Sequence, residues 1–515
     1  MKSTRTLAMY LPQFHEVPEN SQWWGAGYTE WTAVKQAKPC FPGHEQPVIP
    51  MNGNYYDLLS KETMVWQAKL AKKYGVDGFC FYHYWFGRGR KILEKPAENL
   101  LKWTDIDLPF CFCWDPGTWA RTWSKMGNAW ADAFEPEKDK AQTRGDGILI
   151  QQDFGDASYW EAHFEYLLPF FRDERYLRVD GKPVFIFYNS FLVPCLERMA
   201  TFWRRLAKKA GFSGLELIGF GIPNRSMDAV IYPMAFGKSS FVYDRSIEHI
   251  IPGTSMYGYE YDDVWQHFLA NPPSAMQQTL WLGTVSFDDS PRRGANGRIY
   301  LHASPAKFRH YFGQLLRKSR EAGNSFVFID AWNEWGEGKK LEPDTKTGYA
   351  YLEAVRDMTQ TATEDLPVID AVSLEEGREQ YVENLEWLVL RNQKLYILFR
   401  DWRKCMREHR DLATYFQDRK WHRIALYGYG RHGRDFYQDV QGHGVEIVYL
   451  IDARKEGMSG KTPVPVYAPD EELPDCDAVV VSVVDEYEAI LEMLQERMDV
   501  PIVSLSEVVS AVAEE

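Results

Sequence analysis

The sequence predicts an α/β protein made of a TIM-type (β/α)8 barrel, a helical linker and a small Rossmann-like domain with a parallel sheet. Three observations support this prediction. The 515 residues exceed the roughly 250–300 residues at which a single core stops growing. Eight apolar runs alternate with helical patterns, and a glycine-rich turn after a later run begins a second alternating pattern. We place the barrel at residues 1–360, the linker at 361–418 and the Rossmann-like domain at 419–515.

Eight apolar runs bounded by turn signals predict the strands of the barrel. Each run is apolar at nearly every position, which is typical of a parallel strand covered by helices on both faces. Eight strands that alternate with helical patterns over one long segment indicate a closed barrel. The runs cover residues 6–14, 75–85, 108–115, 183–189, 215–222, 229–236, 280–287 and 325–332.

The predicted linker is rich in charge and poor in Gly and Pro, and its apolar residues recur at helical spacing. We expect one or two long amphipathic helices here. Their apolar face would pack against a folded domain or join two copies of the chain as a homo-oligomer.

The Rossmann-like domain is predicted from a strand, RIALYGYG, that ends in the spacing GxGxxG at Gly428, Gly430 and Gly433. The next strand ends at Asp452, where an acid could reach a ribose. A nucleotide or nucleotide sugar could therefore bind here. The alternative is that the glycines serve only helix–strand packing, and the sequence leaves both open.

Composition excludes several classes of function. The 59 Lys and Arg against 73 Asp and Glu give a net charge of −14, which argues against a broad nucleic-acid surface. Seven scattered cysteines do not form a disulfide framework, and no set of metal ligands is evident, so we predict no metal. We expect no transmembrane segment and no export signal, and hence a cytoplasmic protein.

Tryptophan is concentrated in the predicted barrel, which holds 16 of the 19. Aromatic rings with polar neighbours suit a carbohydrate, because the C–H faces of a sugar stack on the ring while its hydroxyls need directed partners. The alternative for any one of them is a place in a large core. Those near predicted strand ends or loops are Trp23, Trp24, Trp31, Trp85, Trp114, Trp119, Trp123, Trp332 and Trp335.

The most informative motif is DAWNEWGEG, which covers residues 330–338 after the eighth run. Glu334 and Glu337 stand where the strand gives way to a glycine-containing loop, at the face of a barrel that carries catalysis. Glycosyl transfer needs one carboxylic acid to protonate the leaving oxygen and a second carboxylate to assist the attack. A turn at Gly336 would bring both side chains to one pocket. A solvated acidic loop is the alternative.

The motif NEWGEG, with LEPD and GYAYLEAV after it, resembles the WbsX-like proteins of polysaccharide biosynthesis. The segments YLPQFHEVPENSQWWGAGYTEW and FYHYWF near the start carry the same resemblance. These proteins are related to glycoside hydrolase family 99, the endo-α-mannosidases, which are (β/α)8 barrels. Those hydrolases carry Asn-Glu-Trp-His-Glu-Gly at this place. Gly336 departs from that pattern, and the departure bears on α-mannoside specificity.

The resemblance implies roles for three residues. Glu334 would assist the sugar 2-hydroxyl in attacking C1, which gives a 1,2-anhydro intermediate and net retention. Glu337 would protonate the leaving group and then act as base toward the acceptor. Asn333 would bind the sugar beside them, and no cofactor is implied for the barrel.

Further candidates for substrate binding lie at predicted strand ends and in loops. Structural roles, or a local ion pair for the last two residues, are the alternatives. These candidates are Trp332 and Trp335 beside the glutamates, His83, Tyr84 and Trp85 after the second strand, Asp115 after the third, Trp24, Tyr28 and Glu30 in the first loop, and Asp288 and Arg292 after the seventh strand.

Together these features predict a retaining carbohydrate-active enzyme of cell-surface polysaccharide metabolism, of the O-antigen or capsule type. Its substrate would be an oligo- or polysaccharide, free or lipid-linked. The choice between α-glycoside hydrolysis and transfer stays open. Two alternatives remain: a nucleotide-dependent oxidoreductase or epimerase led by the C-terminal domain, and a non-catalytic glycan-binding protein.

Overall fold

The structure is a computed structural model that describes residues 4–120, 148–234, 248–453, 455, 458 and 462–514. The chain divides into two compact units, residues 1–380 and 381–515, which are treated separately below. Among the described residues, no helix combines the length and apolar character needed to cross a bilayer.

The first unit is a closed barrel of eight parallel strands, as the sequence predicts. Neighbouring strands pair in chain order, and the first strand pairs with both the second and the eighth, which closes the sheet. All eight apolar runs became barrel strands. The strands are β1 (Arg5–Tyr10), β2 (Gly78–Trp85), β3 (Phe110–Trp114), β4 (Lys182–Phe187), β5 (Glu216–Phe220), β6 (Ala229–Pro233), β7 (Gln278–Thr284) and β8 (Phe326–Asp330).

Helices cover the barrel on the outside. The helix Lys61–Lys73, for example, begins where Ser60 accepts a hydrogen bond from the Thr63 N–H, and it buries Met64 and Ala68. The other α-helices of this part are Pro18–Trp24, Glu30–Gln36, Lys95–Lys102, Ala157–Arg172, Leu196–Lys209, Tyr261–Ala270, Ser290–Arg293, Pro305–Glu321 and Ala350–Gln360.

Short strands and 3-10 turns decorate the loops of the barrel. The strands are Lys91–Ile92, Trp119–Ala120, Ile148–Ile150, Arg178–Val179, Glu248–Ile250, Tyr257–Glu260, Arg298–Leu301, Asn333–Glu334 and Lys339–Lys340. The 3-10 turns are Met51–Gly53, Ser190–Leu192, Gly294–Asn296, Trp335–Glu337 and Thr363–Asp365.

The second unit is a five-stranded parallel sheet with the strand order 3-2-1-4-5 that is typical of a Rossmann-like fold. Its strands are β9 (Arg423–Tyr427), β10 (Glu446–Ile451), β11 (Val466–Tyr467), β12 (Ala478–Val481) and β13 (Ile502–Ser504). Its helices after the first strand are Arg431–Val440, Tyr487–Gln495 and Leu505–Glu514.

The predicted linker forms one helix of 38 residues, Ala371–Glu408, followed by the short helix Thr414–Gln417. The last part of the long helix belongs to the second unit, because Leu398, Trp402 and Cys405 lie in the core of that unit. Association of two copies through this helix stays a prediction.

Candidate active site

The site begins with a tight turn after β8. The strand Asn333–Glu334 pairs antiparallel with Lys339–Lys340, and the 3-10 turn Trp335–Glu337 joins them. Gly338 closes the turn at φ +66°, a conformation that favours glycine. The turn, rather than a straight strand, is what allows two acids three residues apart to point to the same side.

Glu334 and Glu337 converge on one guanidinium, that of Arg292. Its Nη2 lies 2.9 Å from Glu334 Oε2, and its Nη1 donates to Glu337 Oε1. Its Nε lies 2.7 Å from Oε1 of a third carboxylate, Glu30. Arg292 comes from the helix Ser290–Arg293 after β7, so three separate parts of the chain meet at this ion cluster.

A second cation, Lys339, faces the same turn. Its Nζ lies 2.8 Å from Asp330 Oδ2 and 3.0 Å from Glu337 Oε2. Glu337 therefore contacts two cations, whereas Glu334 contacts only Arg292 among the described residues. The sequence analysis assigned no role to Asp330 and Lys339. Asp330 begins the motif at residues 330–338 and Lys339 directly follows it, which was the available signal.

The two glutamates differ in ionisation because of these contacts. Burial raises the pKa of Glu334 above its usual range, against the charge of Arg292 and with the charges of Glu337 and Glu30. Burial would also raise the pKa of Glu337, but the charges of Lys339 and Arg292 outweigh it and lower that pKa. At neutral pH we therefore expect the pair to share one proton and to carry one negative charge, with the higher pKa at Glu334.

A buried carboxylate, Glu342, supports the turn from below. It accepts hydrogen bonds from the indole N–H groups of Trp332 at 2.9 Å and Trp335 at 2.7 Å. Tyr56 and Gln67 each donate to it at 2.8 Å. Sequence analysis missed this residue, although it is the glutamate of the LEPD motif. Glu342 thus fixes the indole rings of Trp332 and Trp335, which lie on either side of Glu334 in the sequence.

The residues next to Glu334 therefore lie beneath the site. Trp332 is fully buried, and Trp335 is 3% exposed. The Asn333 side chain is also fully buried, where it accepts from the Leu11 N–H at 2.8 Å and donates to the Leu11 carbonyl at 3.0 Å. The structure does not bring these three predicted sugar-binding residues to the barrel mouth. They anchor the turn to the core and to the end of β1.

Alternation along β2 separates the three candidates on that strand. His83 is buried on the side of the helix Ala157–Arg172, and its Nε2 lies 2.8 Å from Nε2 of His163. The Trp85 ring stacks on the His163 ring, with the two ring centres 4.5 Å apart. Residues one position away point to the opposite face of a strand. His83 and Trp85 are therefore packed between the barrel and its helices, away from the glutamates.

Tyr84, by contrast, belongs to the site. It lies on the opposite face of β2 from His83 and Trp85; burial raises its pKa, and the negative charges of Asp115 and Glu334 raise it further. Burial and the neighbouring Glu30 likewise raise the pKa of Tyr28, while Arg292 lowers it.

Other aromatic rings surround this group. Trp24 lies 6.3 Å from Tyr28, and Tyr82 meets Tyr188 edge to face at 5.7 Å. Sequence analysis did not single out Tyr82 and Tyr188, because it counted tryptophans. Trp123 lies outside the described residues.

Asp288 does not form a clamp with Arg292. Its Oδ2 contacts His44 Nε2 at 2.9 Å and accepts from Gln46 at 2.6 Å, so it forms an ion pair with a distant segment. Its backbone N–H donates to the Glu337 carbonyl at 2.8 Å. Asp288 thus holds the loop after β7 against the turn Trp335–Glu337, and of these two residues only Arg292 forms ion pairs with the glutamates.

The glycine turn of the second unit is explained largely by packing. A Cβ at Gly433 would lie 2.1 Å from the Gly428 carbonyl oxygen, and one at Gly428 would lie 2.7 Å from Val483. Asp452 is buried and accepts the Tyr429 N–H at 3.1 Å. Only Gly430 would leave a Cβ without a neighbour within 4 Å. Binding of a nucleotide by Gly428, Gly430, Gly433 and Asp452 stays a prediction.

The first unit is thus a (β/α)8 barrel with acidic side chains and aromatic rings at the carboxyl ends of its strands, the end at which barrel enzymes carry their active sites. Among the described residues, no group of three or more His, Cys, Asp or Glu side chains is placed to hold a metal ion.

Comparison with known proteins identifies the family. The chain matches the family model described as Glycosyltransferase WbsX over residues 6–355, and it belongs to that family. It is 35% identical over 361 residues to the uncharacterized protein WxcX of Xanthomonas campestris pv. campestris, in strains B100 and ATCC 33913 alike. That match covers 68% of this chain and 49% of WxcX, so the chain spans about half the length of these curated relatives.

The solved structures that are similar to the chain include a glycoside hydrolase and a glycoside hydrolase-like protein. The GH99 endo-α-mannosidase from Bacteroides thetaiotaomicron is 13% identical, with a TM-score of 0.42 and coverage of 73% of this chain and 98% of that one. A glycoside hydrolase-like protein is 14% identical, with a TM-score of 0.44 and coverage of 70% and 95%.

The support of the turn by Glu342 can be tested by Glu342→Gln. The amide would turn an N–H group toward donors that need an acceptor, so we expect a loss of about 2 kcal/mol in the free energy of unfolding. Urea denaturation followed by tryptophan fluorescence measures it, with Glu353→Gln on an exposed helix position as the matched control. Equal stability of the two variants would contradict the role of Glu342.

Proposed function

We propose that the barrel catalyses retaining glycosyl chemistry on a cell-surface polysaccharide or its precursor, with Glu334 and Glu337 as the catalytic pair. The observation that carries this proposal is the contact of both carboxylates with the single guanidinium of Arg292. Because one guanidinium spans only a few ångströms, both acids face the same small volume at the barrel mouth. One proton shared by two such carboxyls is the ionisation state that acid–base catalysis on a glycoside requires.

The roles implied by the motif resemblance give a balanced sequence of proton transfers. Glu334 takes the proton of the sugar 2-hydroxyl while that oxygen attacks C1, and Glu337 gives a proton to the departing oxygen. In the second half, an acceptor hydroxyl or water attacks C1, Glu337 takes the acceptor's proton, and Glu334 returns the proton to O2. Two inversions at C1 give net retention.

These roles begin with a proton on Glu337, whereas the free protein favours a proton on Glu334. Lys339 and Arg292 both contact Glu337 and lower its pKa, and Lys339, which has no ion pair with Glu334 among the described residues, is the main cause of this difference. Substrate binding must therefore separate Glu337 from at least one of these cations before Glu337 can act as the acid. The hydroxyls of a bound sugar offer acceptors to which Lys339 or Arg292 can turn.

Two alternatives of a different class make different predictions. A glycan-binding protein without catalysis would keep its binding after loss of either acid. An oxidoreductase or epimerase led by the second unit would depend on a nucleotide and not on the glutamates of the barrel. Hydrolysis and transfer share the first half-reaction and differ only in the acceptor.

The catalytic roles are tested by Glu334→Gln and Glu337→Gln. Each should lower turnover on the order of 100-fold or more, because positioned acid–base catalysis is removed. A donor with a good leaving group should restore much of the activity of Glu337→Gln but not of Glu334→Gln, since such a group departs without protonation. Product formation from a panel of α-mannosides and nucleotide-sugar donors, followed by mass spectrometry, measures both effects.

Glu353→Gln is the matched control for these variants and should keep wild-type turnover. The proposal fails if the wild type turns over no member of the panel, or if either catalytic variant is as active as the control.

The shared proton predicts a bell-shaped dependence of kcat/KM on pH. The pair loses its proton as pH rises through the raised pKa of Glu334, and it gains a second proton as pH falls through the lowered pKa of Glu337. The two limbs should therefore lie on either side of the usual carboxyl range near about pH 4. Initial rates over about pH 2–9 measure the profile. A single limb within the usual carboxyl range would show that the two acids titrate independently.

A further inference from the structure

Gly336, in the middle of the catalytic turn, is surrounded on its side-chain face by the ion cluster. A Cβ added there would lie 1.8 Å from Glu30 Oε1 and 2.8 Å from Arg292 Nε. The φ of Gly336 is not in the left-handed region, so the backbone itself does not call for glycine. The glycine is needed because the Glu30 carboxylate occupies the place of a side chain at position 336.

Glu30 is held rigidly in that place. It is 1% exposed and is the first residue of the helix Glu30–Gln36. The helix begins with a capping box in which the side chains of Thr29 and Thr32 bond to each other's backbone N–H groups. The Glu30 N–H also donates to the Gln13 carbonyl at 3.1 Å. The carboxylate therefore approaches the turn from a fixed backbone.

The contact of Glu30 with Arg292 decides how the guanidinium is oriented. Glu30 takes the Nε edge at 2.7 Å, which leaves the two Nη groups to face the turn. Each Nη then reaches one catalytic carboxylate. A guanidinium is planar, so fixing its Nε edge fixes the direction of both Nη groups.

We propose that Glu30 is a positioning residue for the catalytic pair. Its carboxylate binds Arg292 Nε and thereby keeps the guanidinium in contact with both Glu334 and Glu337. The carboxylate occupies space that only a glycine at position 336 leaves open. Glu30, Arg292 and Gly336 then form one coupled unit. Glu30 acts through Arg292 and has no contact with the acid pair itself among the described hydrogen bonds and ion pairs. The catalytic meaning rests on the proposed function, whereas the coupling is a property of the folded protein alone.

Several titratable and charged groups besides Glu30 share this environment and contribute to its ionisation. They are Glu334, Glu337, Lys339 and Asp330 from the turn and the end of β8, Asp289 and Arg293 from the helix that carries Arg292, and Tyr28 and Tyr84 from the neighbouring loop and strand.

The coupling is tested first without any substrate, by a cycle of Gly336→Ala, Glu30→Ala and the double variant. Gly336→Ala should lower the melting temperature by about 3 °C or more, because the added methyl group displaces a buried ion pair. In the Glu30→Ala background the same change should cost less than half as much, since the methyl group then has room. Equal losses in both backgrounds would overturn the proposal.

The positioning role is tested by Glu30→Gln, which keeps the size of the side chain if Glu30→Ala does not fold. On an aryl α-glycoside that the wild type turns over, kcat should fall about tenfold while KM changes less than about twofold. The basic limb of the pH profile should move to lower pH, because the negative charge of Glu30, which raises the pKa of Glu334, is then gone. The control Glu19→Gln, in the helix Pro18–Trp24 and without an ion pair to Arg292 among the described residues, should behave as wild type.

The outcomes separate the two proposals. A Glu30→Gln profile that coincides with wild type would overturn the positioning role even if the glutamates are catalytic. If the wild type turns over no glycoside, the proposed function fails, and the melting-temperature cycle alone decides whether Glu30, Arg292 and Gly336 are coupled.

Discussion

The guanidinium of Arg292, bridged across three carboxylates, is the interaction on which the site depends. It joins the loop after β7 to the turn after β8 and to the helix that begins at Glu30. Removal of one partner from such a buried ion cluster typically costs about 3–5 kcal/mol, because the remaining charges are left uncompensated. The same guanidinium lowers the pKa of both glutamates, so the contact that orders the barrel mouth also affects its ionisation.

The surroundings of this cluster divide into a support beneath it and an open side above it. Glu342 and Asn333 hold the turn to the core through hydrogen bonds with the indole and backbone groups around it. Asp288 fixes the loop after β7 by its ion pair with His44. Glu337 and Tyr82, by contrast, are partly exposed. In the proposed function, a sugar would approach the cluster from their side.

Sequence reasoning predicted the barrel well, because all eight strands are buried on both faces and read as unbroken apolar runs. The same property concealed the direction of individual side chains. Because β2 carries aromatic rings at successive positions, the sequence did not show that Tyr84 points to the opposite face from His83 and Trp85. The motif drew attention to Glu334 and Glu337, but it did not indicate that the side chains of Trp332, Asn333 and Trp335 are buried in the core beneath the turn. Glu342 and Lys339 were missed because their roles depend on partners that only the folded turn brings together.

In the proposed site, Glu334 and Glu337 share a single proton, and the charge of Arg292 acts on both carboxyls. The most direct measurement is a carboxyl-carbon NMR titration of glutamate-labelled protein, with the two resonances assigned from the Gln variants. We expect one protonated and one ionised carboxyl at neutral pH, with the protonated signal assigned to Glu334, and a rise of both pKa values in Arg292→Gln, because the charge of Arg292 lowers both. Two carboxyls that are both fully ionised at neutral pH, with pKa values unchanged in Arg292→Gln, would contradict this expectation.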